Sequence, residues 1–96
     1  MMKYLAEFVG TFIFLSIILK SGSFGNVQPF VIVIGLLAAI LLCGAISGGH
    51  FNPAVSTMVW ARDSSSFSTS TLGWYVAVQV LGGLAALKAH QMSLKA

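Results

Sequence analysis

Charge is what this chain has least of. Only 7% of its 96 residues are charged, against about 25% in an ordinary soluble domain. Acid is scarcer still, with Glu7 and Asp63 the only two. The sequence holds two histidines and one cysteine, and no His, Cys or carboxylate cluster at ligand spacing, so neither a metal site nor another cofactor is expected. No nucleophile–base pair stands out, which argues against an enzyme. The lone Cys43 excludes an intrachain disulfide and leaves the redox compartment unread. The basic residues Lys3, Lys20, Arg62, Lys88 and Lys95 are scattered at the ends of apolar runs. That suits lipid headgroups and offers nucleic acid no patch.

What fills the chain is hydrocarbon: 57% of residues are hydrophobic, spread along the whole length. This points to an integral, multi-pass membrane protein, expected in the plasma or cell membrane, with the bilayer as its first partner. Three apolar segments stand out, and with their flanks they predict spans over about 4–20, 29–46 and 71–88. Lys3, Lys20 and Lys88 are placed to snorkel to the headgroups. Tyr4, Trp74 and Tyr75 suit an interface, and Trp60 does too. SGSFGNVQP, residues 21–29, is a turn-rich connector. DSSSFSTST, residues 63–71, is a polar linker in which Ser70 or Thr71 is expected to cap the third long helix. A secretory signal is the competing reading of the N-terminus. Glu7, the want of an A-x-A site and the later apolar runs argue against it.

The stretch SGGHFNPAVS, residues 47–56, breaks this pattern. Asn52 is a favoured N-cap, and Pro53 would take the first helical position, where its missing N–H costs nothing. PAVSTMVWA, residues 53–61, makes about 13 Å of helix, roughly half of a 30 Å hydrocarbon core. A loop and half-helix over about 47–61 would therefore start at mid-membrane, where such backbone is tolerated only if protein buries it or it lines a watery cavity. Gly48, Gly49 and His50 would then be an extended segment pointing carbonyls into an aqueous path. Asn52 would offer side-chain N–H donors, backed by the partial positive charge of the helix end. Such a surface hydrogen-bonds a passing polar molecule and repels a cation. The alternative from spacing alone is a loop outside the membrane with an amphipathic helix lying on its surface.

At these residues the sequence resembles the aquaporin family, the major intrinsic proteins. SGGHFNPAV, residues 47–55, looks like the family's first NPA box, in the form found in bacterial water channels. AEFVGT, residues 6–11, is similar to the first-helix A-E-F-x-G-T. YVAVQVLGG, residues 75–83, is similar to the third-helix Y-x-x-A-Q-x-x-G-A, with Gln79 and Gly82 in place and Val78 where alanine is usual. The resemblance implies an all-α membrane fold of three transmembrane helices plus one re-entrant half-helix, one inverted-repeat half of the family's architecture. It implies a pore with Asn52, Pro53 and Ala54 at its centre and the carbonyls of Gly48, Gly49 and His50 along it. Ile32 falls on the family's constriction position on the second helix. Glu7 would brace the re-entrant backbone, and Gln79 would hydrogen-bond the same loop in preference to a neighbouring helix. The second NPA box is missing, and so is the arginine that follows it in the family.

The expected function is passive flow of water, with glycerol or another small neutral solute as the alternative. His50 would anchor the loop through its ring, and His90 would be a polar residue past the last span. Gly35, Ala39 and Cys43 fall four apart, as do Ala6 and Gly10, and Gly82 and Ala86. Such spacings let membrane helices approach closely. In the family's orientation Lys3 and Arg62 lie inside and Lys20, Lys88 and Lys95 outside, so the basic residues set no clear direction of insertion. Two copies in opposite orientations would mimic an inverted repeat and form a homo-oligomeric pore. Against this stands a truncated or split channel, inactive without a complementary second half. The short third span followed by LKAHQMSLKA favours that reading.

Overall fold

Two stretches, Met2–Ser47 and Thr69–Lys95, are helical, long enough and apolar enough to cross a membrane. The first has 46 residues and as one straight helix would reach about 69 Å. The computed structural model, which describes residues 1–96, is only 44 Å in its longest dimension. The stretch is folded double. Helix α1 spans Met2–Ser21, a 3-10 turn spans Gly22–Val27, and helix α2 spans Gln28–Ser47. Gly25 makes the reversal, with φ of 59° and ψ of −129°, a conformation open to glycine alone at little cost. Helix α3 spans Pro53–Arg62 and helix α4 spans Thr69–Lys95. The fold is all-helical, without a strand.

The helices pack through narrow faces of small and polar residues. On α2 the buried positions are Gly35, Ala39, Cys43 and Ser47, each one turn from the next. On α4 they are Tyr75, Gln79, Gly82 and Ala86. At Gly82 an added Cβ would lie 2.8 Å from the Phe8 carbonyl oxygen, so α1 and α4 touch backbone to backbone there. These two helices run in the same direction. Tyr4 meets Trp74 and Tyr75 at one end, with ring centroids 6.1 and 5.8 Å apart, and Lys20 reaches Ser93 at the other.

The interior is more polar than the surface. Only 15 of 96 residues are buried, and Glu7, Thr11, Ser21, Ser47, Ser56 and Gln79 are among them. Phe30, Leu41, Leu42, Val33 and Ile34 are all more than 60% exposed. A soluble monomer does not leave so much contiguous apolar surface in water. This one matches a hydrocarbon solvent.

Two expectations are corrected. The cap of α4 is Ser68, whose Oγ accepts from the Thr71 N–H at 3.1 Å, rather than Ser70 or Thr71. Ser68 is the last residue with extended backbone (φ −71°, ψ 162°), so it alone has the geometry to cap. Helix α4 continues to Lys95, so the half-buried His90 is itself helical. Tyr75 is 2% exposed rather than interfacial, because it lies one turn before Gln79 on the buried face.

Candidate functional site

The site is the loop between α2 and α3. Helix α2 ends where Gly48 turns left-handed (φ 94°) and its N–H donates to the Gly44 carbonyl at 2.7 Å. Gly49 (φ 69°) and Phe51 (φ 53°) are also left-handed. The segment from Gly48 is therefore a sequence of tight reversals, not the extended run the sequence led us to expect. Phe51 lacks glycine's freedom, so this backbone costs about 1–2 kcal/mol and must be held from outside. Its ring covers Gly10 of α1, where any side chain would overlap it.

Glu7 holds the loop. Fully buried, its carboxylate accepts four hydrogen bonds. Oε2 receives the Ser47 hydroxyl at 2.6 Å and the His50 N–H at 3.1 Å. Oε1 receives the Phe51 N–H and the Gln79 Nε2, each at 2.9 Å. A buried carboxylate survives away from water only when its lone pairs are taken in this way. Gln79 also donates to Ser56 Oγ at 2.8 Å. It thus joins side chains on α1 and α3 and makes no bond to the loop backbone, a correction to the expected contact. Glu7 already takes up the loop N–H groups that Gln79 would have faced.

His50 is fixed by its ring. Nδ1 lies 2.8 Å from Ser56 Oγ, and the ring packs on Phe67 and Tyr75 with centroids 5.3 and 5.1 Å away. The Tyr75 hydroxyl donates to the Ser47 carbonyl at 2.7 Å. Ser47, Ser56, Phe67 and Tyr75 belong to the site although sequence reasoning did not assign them to it. Ser47 continues the small-residue stripe of α2 and Tyr75 the buried stripe of α4, which is the signal that would have found them.

Asn52 starts α3. With extended backbone (φ −161°, ψ 123°) it caps the helix, and its Oδ1 accepts from the Ala54 N–H at 2.8 Å. That fixes the amide with its two N–H groups directed away from the helix end. Asn52, Pro53 and Ala54 are all exposed. A cavity of about 310 Å³ joins Pro53 to Thr11 and Leu15, midway along α1, and to Gly83 and Leu84, midway along α4. The tip of α3 therefore lies at half the height of the bundle. From there α3 returns to the start of α4, where Trp60 Nε1 donates to Thr69 Oγ1 at 3.1 Å. Ile32 stands apart, half-buried near the start of α2, about 22 Å along that helix from Ser47. No three His, Cys, Asp or Glu residues gather to hold a metal.

The family model described as Major intrinsic protein matches residues 1–95. The chain belongs to this family. A glycerol uptake facilitator protein-like 6 of Lactiplantibacillus plantarum is 37% identical over 90% of the chain and 41% of its own length. An aquaglyceroporin of Toxoplasma gondii is 37% identical over 86% of the chain and 32% of its own. Aquaporin NIP3-1 of Arabidopsis thaliana is 34% identical over 83% and 27%. The chain thus spans less than half the length of these major intrinsic protein relatives. No solved structure matches it significantly.

Proposed function

We propose that the chain is one half of a passive water channel of the cell membrane, crossing the bilayer through α1, α2 and α4, with α3 as a re-entrant half-helix. The observation that carries this reading is the exposed Asn52 tip at half height. It pairs free amide donors with the positive end of a helix dipole, in a fold whose outside is hydrocarbon. A passing water or alcohol accepts a hydrogen bond from Asn52 and donates to the carbonyls of Gly48, Gly49 and His50. The same positive end disfavours a cation. Glu7 holds the loop, Gln79 ties Glu7 to Ser56 of α3, and Ile32 narrows the path away from the tip.

A half-helix that stops at mid-membrane leaves the other half of the path unlined. The open cavity beside Pro53 supports a missing complement. A second copy in the opposite orientation supplies an equivalent tip and completes the path, as inverted repeats do in single chains. Tags on the two termini should be found on both sides of the membrane; a single orientation would rule out this pairing and leave a separate complementary chain. Glycerol is the second reading, favoured by the relatives named as a glycerol facilitator and an aquaglyceroporin. Vesicles carrying the chain decide between the two. Shrinkage in an impermeant osmolyte without accelerated reswelling in glycerol supports water alone, and fast reswelling assigns glycerol as well.

A further inference from the structure

The charged side chains at the end of the bundle where α1 and α4 finish are of one sign. Lys20, Lys88 and Lys95 lie within the last turns of these helices. The chain's two acids are elsewhere, Glu7 in the loop cluster and Asp63 at the far end of α3. Between the two helix ends sits a notch of about 140 Å³, lined by Ser16, Lys20, Ala86, Ala89, His90 and Ser93. Its volume equals that of about four to five liquid waters.

The polar groups around the notch are unevenly used. Lys20 Nζ donates one hydrogen bond, to Ser93 Oγ at 3.3 Å, which leaves two of its N–H groups free. Ser93 gives its own proton to the His90 carbonyl at 2.7 Å, so its oxygen lone pairs are directed at Lys20. The His90 Nδ1 is shut off from solvent without a partner, so Nε2, which makes no hydrogen bond within the chain, is the ring nitrogen open to a ligand at the notch. A lysine that only complemented the α1 dipole would not need pinning from another helix.

We propose that this notch binds phosphate, with Lys20 Nζ and His90 Nε2 donating to its oxygens, whether the phosphate belongs to an anionic phospholipid headgroup or is free in solution. A compact ammonium is a natural phosphate partner. The ends of membrane helices sit at headgroup level, where lysines are drawn to anionic lipid. The membrane reading above bears only on the lipid source, and insertion is verified separately by protease protection.

The test uses the 96-residue chain with labelled histidine rings, in phosphate-free maltoside micelles, in the same micelles with phosphatidylglycerol, and in the same micelles with millimolar inorganic phosphate. Phosphatidylglycerol should shift the His90 ring resonances and leave those of His50 in place. Lys20→Gln should abolish the shift and lower retained phosphatidylglycerol, counted by native mass spectrometry, by more than the roughly fivefold that any one lysine at an anionic surface accounts for. Lys88→Gln, on the same end but outside the notch, should leave the shift in place and lower retention by no more than that factor. A shift with phosphate as well assigns a site open to the free ion, and a shift with the lipid alone assigns the headgroup; both support the notch. No shift with either, or equal losses in Lys20→Gln and Lys88→Gln, would overturn it. Should Lys20→Gln lose helicity, His90→Asn replaces it and is read by lipid retention alone, a lower retention than in Lys88→Gln being expected and unchanged retention counting against the site.

Discussion

Glu7 is the residue on which most of the site converges. It gathers donors from α2, the loop and α4, at sequence separations of 40 to 72. Glu7→Gln keeps the shape but turns one acceptor oxygen into a donor, leaving the Ser47 hydroxyl and the His50 N–H, or the Phe51 N–H and Gln79, facing another donor. The expected cost is roughly 2–3 kcal/mol, the range for buried bonds to a charged group, read as a lower unfolding midpoint in detergent. An unchanged midpoint would mean the loop is held by Phe51 packing alone. Asp63 lies outside the apolar stretches. Hydrogen bonds from the Ser65 and Ser66 hydroxyls, then their N–H groups, lower its carboxyl from the ordinary 3.8 to about 2. A depressed carboxyl stabilises the linker above its unfolded value and loses that contribution as pH falls towards the folded one. The Ser65 and Ser66 amides should therefore stay protected from exchange at pH 5 and lose protection between 3.8 and about 2.

Among the helices, contact distance decides which glycines matter. Gly82→Ala drives a methyl against the α1 backbone and should cost about 1–3 kcal/mol. Gly73, on the same helix, has nothing within 4 Å, so Gly73→Ala should be neutral or stabilise by up to about 1 kcal/mol; both follow from thermal unfolding. The start of α3 was legible because Asn52 and Pro53 encode it locally, as cap and first helical residue. The cap of α4 was harder to place, since Ser64, Ser65, Ser66, Ser68 and Ser70 compete in one linker and only backbone conformation selects Ser68. The left-handed Phe51 was invisible to sequence reasoning: its conformation is enforced by Glu7, 44 residues away. Small-residue spacing announced close packing, but not that Ser47 and Tyr75 complete the same faces with polar atoms.

At the scale of the molecule, a polar interior inside an apolar exterior suits a chain that gathers its hydrogen bonds away from lipid and presents one polar tip. The Asn52 tip is exposed in this chain, and the proposed second half would cover that opening. Asn52→Asp puts a negative charge at the tip, so vesicles carrying it should leak potassium faster than wild type, read by a potassium electrode; equal leak would deny the tip a role in excluding cations. The most direct measurement is the osmotic shrinkage rate of vesicles containing only this chain, followed by light scattering as protein density is raised. A pore built from two copies predicts flow above that of empty vesicles, rising as the square of density while pairs are scarce. No excess flow at any density, in vesicles where insertion has been verified, would contradict it.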